Sequence, residues 1–76
     1  MACQIGHPEM RLRLEALAAQ GKFVESYRRH KISDNTWEFV LSDTDDEISS
    51  ICVKLTVHAL IRLDGELQKA GMRLKT

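Results

Sequence analysis

Tyr27-Arg28-Arg29-His30-Lys31 is the densest run of chemistry-bearing side chains in the sequence. Consecutive cationic groups grip phosphates by charge, and a phenol ring beside them can stack on a base. The same run also serves as a solvated hairpin end, or as a charged edge that discourages pairing with foreign strands. Lys54, His58 and Arg62 recur at intervals of four, the spacing that places side chains on one helical face. Tyr27, Arg28, Arg29, His30, Lys31, Lys54, His58 and Arg62 are therefore the candidate partner-binding residues.

Other reactive types lead to weaker chemistry. Cys3, His7, His30, Cys52 and His58 are zinc-ligand types, and Cys3 and His7 form a local pair. Structural zinc sites bring their ligands as close-spaced pairs. Cys52 and His58 are six apart, which on a helix separates them by about 240° and denies them a common ion. Asp43-Thr44-Asp45-Asp46-Glu47 opens like a calcium loop, but Ile48 stands at the sixth-place glycine and Lys54 at the twelfth-place glutamate. No metal and no cofactor is expected. The sequence holds no G-x-S-x-G, phosphate loop, dinucleotide fingerprint or H-E-x-x-H. No catalytic residue is assigned, and the chain is not expected to be an enzyme.

The totals set the frame for these side chains. Seventy-six residues make one domain, near the size where a single core is marginal without a metal, disulfide or partner chain. With 43% hydrophobic and 29% charged residues the composition is that of a folded chain. Eleven basic residues balance eleven acidic ones, so the whole molecule is not drawn to nucleic acid or to an anionic membrane. Two cysteines are no disulfide framework, which favours a reducing compartment, and Cys52 reads as a small buried hydrophobe. No signal peptide is expected from the opening residues, and no apolar run approaches the roughly 20 residues that span a bilayer. The expected location is the cytoplasm, with no membrane partner.

The elements that position the candidates follow from spacing. Residues 1–7 read as a flexible leader, and 8–76 as a single α+β domain. Pro8 suits the first turn of a helix and Gly21 the position that ends one. Met10, Leu14, Leu17 and Ala18 fall on one side between them, with Leu12 on the far side. Phe23–Tyr27 and Thr36–Leu41 are rich in aromatic and β-branched residues, separated by the turn formers Ser33-Asp34-Asn35, and predict a β-hairpin. Trp37, Phe39 and Leu41 share its buried face.

Thr44-Asp45-Asp46-Glu47 matches the capping-box pattern and predicts a long helix from about 45 to 70, on the order of 40 Å. On it Ile48, Cys52, Leu55, Ala59 and Leu63 form one apolar stripe. Val53, Val57, Leu60 and Leu67 form another, widened by Ile61. One stripe packs on the hairpin and first helix. The other, Val53, Val57, Leu60, Ile61 and Leu67, has no partner within the chain and is expected to form a homodimer interface. The expected architecture is α-β-β-α, a hairpin packed on helices with a long C-terminal helix.

Leu14-Glu15-Ala16-Leu17-Ala18-Ala19-Gln20-Gly21-Lys22-Phe23-Val24, followed by Trp37-Glu38-Phe39-Val40-Leu41, resembles the recognition helix and wing of winged-helix DNA-binding proteins. That resemblance covers residues 8–42 and implies a nucleic-acid-binding regulator that uses the basic segment 27–31. The reading favoured by size and by the absence of catalytic motifs is a non-catalytic dimeric binding module. It would be a small regulator or inhibitor docking on a protein partner, of a kind that phages and other mobile elements carry.

Overall fold

The computed structural model describes residues 7–44 and 46–75. Helix α1 (His7–Ala19) leads into strands β1 (Ser26–Ser33), β2 (Thr36–Asp43) and β3 (Asp46–Lys54), then helix α2 (Val57–Lys69) and a short β4 (Arg73–Leu74). The strands form one mixed sheet in the order β3-β2-β1-β4. β1 and β3 both run antiparallel to β2, while β4 lies parallel to β1. The α+β class is as expected, but the order is α-β-β-β-α-β rather than α-β-β-α. The expected leader at 1–7 falls outside the described residues, apart from His7, whose backbone opens α1.

α1 takes the place its spacing predicts. Pro8 sits in its first turn, Met10 and Leu17 are buried, and Leu12 faces solvent. Gly21 ends the element at φ 78°, a backbone state that costs a side-chain-bearing residue energy but not glycine. The predicted hairpin also forms, with Asn35 at φ 58° in its turn. Its first strand starts at Ser26, so Phe23 and Val24 precede the ladder. The basic run therefore lies within the strand, paired residue by residue with Trp37–Val40.

The long helix is corrected by the structure. Its first half is β3, and only its second half is helical. Ile48, Ile51 and Val53 are β-branched, which favours an extended backbone. β2 already offers an apolar ladder edge, and Val53, Ile51 and Ser49 align with Trp37, Phe39 and Leu41. Side-chain alternation then places Ile51 and Val53 on the inner face with Phe39 and Leu41. The acidic residues predicted to start the helix instead lie where β2 meets β3: Asp43 pairs with Asp46, and Thr44 adopts φ 59°. The true start of α2 is capped by Thr56, whose hydroxyl accepts from the Ala59 N–H at 3.1 Å. Cys52, expected to be buried, is exposed, because a strand turns it to the face opposite Val53.

One core joins the two helices to one side of the sheet. Met10 and Leu17 of α1 meet Ala59, Leu60, Leu63 and Leu67 of α2 over Tyr27, Phe39, Leu41 and Val53. The Tyr27 and Phe39 rings stack at 6.0 Å between centroids. β4 is held by the Arg73 N–H donating to the Glu25 carbonyl and the Lys75 N–H donating to that of Tyr27. Among the described residues, no helix is long and apolar enough to cross a membrane.

Candidate functional site

Strand geometry divides the basic run. Tyr27, Arg29 and Lys31 share the inner face, opposite Leu41, Phe39 and Trp37, while Arg28 and His30 point the other way. Tyr27 is wholly enclosed, and its hydroxyl donates to Asp64 Oδ1 at 2.9 Å. Arg29 Nε donates to both carboxylate oxygens of the same Asp64, at 3.2 and 3.0 Å, and its guanidinium lies 5.8 Å from the Trp37 ring centroid. This network ties β1 to the middle of α2. Desolvation in the core pushes the Tyr27 phenol up to about 12; the Asp64 carboxylate adds to that rise, while a hydrogen bond with Gln68 works against it.

On the opposite face, Arg28 crosses β2 to pair with Glu47 on β3. That pair is largely exposed and contributes little to stability. Its path over β2 nevertheless runs beside Val40, which stands opposite Arg28 in the ladder and is buried without a helix above it. Tyr27, Arg28 and Arg29 are thus engaged within the fold, and His30 and Lys31 are the exposed members of the run.

The second group of candidates is also redistributed. Lys54 closes β3, while His58 and Arg62 are exposed on α2. Of the residues expected at a dimer interface, Val53, Leu60 and Leu67 belong to the chain's own core. Val57 and Ile61 are each 64% exposed. They stand one helical turn apart, beside His58 and Arg62 in the same spacing, so α2 presents a mixed apolar and cationic outer face.

Two features had no place in the sequence reading. Asp64, the hub of the inner network, interrupts an apolar stripe and gave no sign of serving two β1 side chains. The other is an open cleft of about 580 Å³ between α1 and the outer edge of β3, lined by Glu9, Leu12, Arg13, Ala16, Ser50, Ile51 and Cys52. Arg13 spans it, donating to Ser49 Oγ at 3.1 Å. The alternation of Ile51 and Val53 about Cys52 is the sequence signal that could have found this strand. Among the described residues, no three His, Cys, Asp or Glu side chains gather into a group able to hold a metal ion. No family model, curated protein or solved structure matches this chain.

Proposed function

We propose that the protein is a non-catalytic, dimeric binding module, a small regulator or inhibitor that docks on a protein partner through the outer face of α2. The observation that carries this reading is the exposure of Val57 and Ile61 on a helix whose other large apolar residues are buried. Solvent favours charge on the outer side of a helix that packs on a sheet. Two β-branched apolar side chains flanked by His58 and Arg62 fit a partner surface that is apolar at its centre and acidic at its rim. Arg28 and Arg29 already hold carboxylates, which leaves the segment 27–31 less charge to offer phosphates.

Affinity capture from host lysate, comparing the wild type with Ile61→Asp, tests the reading. The wild type is expected to retain a specific protein that the folded variant loses by more than about tenfold, since burial of such a side chain contributes about 1.5–3 kcal/mol. A protein held equally by both, or none held by the folded wild type, rules the reading out. Nucleic acid recovered instead, and released steeply by added salt, would give the cationic residues to phosphate.

A further inference from the structure

β3 is one of the two outer strands of the sheet, nine residues long, and its free edge borders the cleft along α1. The Leu55 N–H donates to the Asn35 carbonyl at 2.8 Å. That bond fixes the alternation along the ladder: Val53, Ile51 and Ser49 turn their backbone groups toward β2, whereas Lys54, Cys52 and Ser50 turn theirs outward. A one-residue bulge at Ile48, where the register with β2 shifts, ends this regular run. Among the described residues, no backbone hydrogen bond other than those to β2 and the one from Leu55 involves this segment. Buried edges of this kind need a partner, and exposed ones invite a strand.

We infer that the edge is closed by β3 of a second copy of this chain, running antiparallel about a two-fold axis at Ser50. This deepens, and rests on, the reading of the protein as a dimer. Two observations choose the occupant and its register. The strand is acidic at its start, Asp46 and Glu47, and basic at its end, Lys54. Antiparallel self-pairing brings Lys54 of each copy toward the partner's acidic start, and parallel pairing would set like charges side by side. The middle residue, Ser50, is one of those whose N–H and C=O face outward, as a central hydrogen-bonded pair requires.

The cleft accommodates the added strand. In this register the partner's Ile51 stands across from Ser49, on the helix side of the sheet. There Leu12 of α1 is 65% exposed and Arg13 reaches Ser49. Two four-stranded sheets become one of eight strands, and Leu12 is covered on each copy.

Sedimentation equilibrium with substituted chains tests the arrangement. The wild type should be a dimer. Ser50→Pro should be a folded monomer, because the amide it removes makes no bond to β2 and the ring blocks the approaching strand. Ile51→Pro removes a ladder amide and should unfold. Ser50→Cys, with Cys3 and Cys52 both replaced by Ser, should form a covalent dimer under mild oxidation, since a central hydrogen-bonded pair brings its Cα atoms to about 5.5 Å. The native Cys52, offset along the strand from its counterpart, should not.

A folded Ser50→Pro that remains dimeric overturns the edge arrangement while leaving the dimer itself intact. A Ser50→Pro that unfolds, or a Ser50→Cys that fails to cross-link, also overturns it. A wild type that is monomeric at high micromolar concentration removes both the arrangement and the dimer. Ile61→Asp should leave the dimer unchanged, so loss of partner capture and loss of self-association report on different faces.

Discussion

Tyr27 keeps its hydroxyl on Asp64 in a site closed to solvent, with its phenol raised to about 12 chiefly by burial. A group whose folded pKa is raised contributes stability below its unfolded value, near 10 for tyrosine, and that contribution disappears as pH climbs through the folded value. Thermal melts should therefore hold up to about pH 10 and show a tyrosine-dependent decline between there and about 12. Tyr27→Phe should lose that extra decline and cost about 1 kcal/mol at neutral pH through the missing hydrogen bond. The chain has a single tyrosine, so phenolate absorbance reports this site directly. An ordinary titration near 10 in the folded protein would refute the assignment. None of this was legible from the basic run that follows Tyr27. The strand alternation that buries it beside exposed His30 depends on β2, and its acceptor lies 37 positions away.

The segment from Asp43 to Lys69 carries the main lesson at the level of elements. Its apolar residues satisfy both a period near 3.6 and a period of two, and periodicity alone does not separate a helix from a buried strand. β-branching at Ile48, Ile51 and Val53 was the local cue, and the waiting edge of β2 decides the matter. The capping-box pattern was equally ambiguous, because threonine and aspartate serve tight turns as well as helix starts. By contrast α1 and the first hairpin were readable: Pro8, Gly21 and Asn35 mark their ends by backbone restriction, which requires no tertiary partner. The exposed residues of α2 followed once its true start at Val57 was known. Gly65 gives a clean test of this helix. A methyl group built there meets nothing within 4 Å, so Gly65→Ala should raise stability by about 1 kcal/mol in urea titration. A loss of stability would mean that the helix does not run as described.

At the scale of the whole molecule, two helices on one side of a sheet leave the other side to be covered by side chains lying flat, as Arg28 does on its way to Glu47. So small a core leaves association to matter for stability. If copies pair through β3, the midpoint of thermal unfolding should rise with protein concentration in the wild type and become independent of it in Ser50→Pro. Differential scanning calorimetry over a hundredfold range of concentration measures this directly. An invariant wild-type midpoint would show that folding and pairing are unlinked. The zero net charge fits such self-association, since it leaves little mutual repulsion between copies.

The pairing of β4 beside β1 has a consequence for how the molecule is made. Every other strand contact joins neighbours along the chain, so the β1–β2–β3 meander can assemble as synthesis proceeds. β1 must then wait for Arg73 and Leu74, which emerge only after α2 has been translated. Until they dock, the start of β1 at Ser26 and Tyr27 is open as well as the edge of β3. The interval before β4 arrives is when it is most exposed to mispairing with its own copies on a crowded polysome.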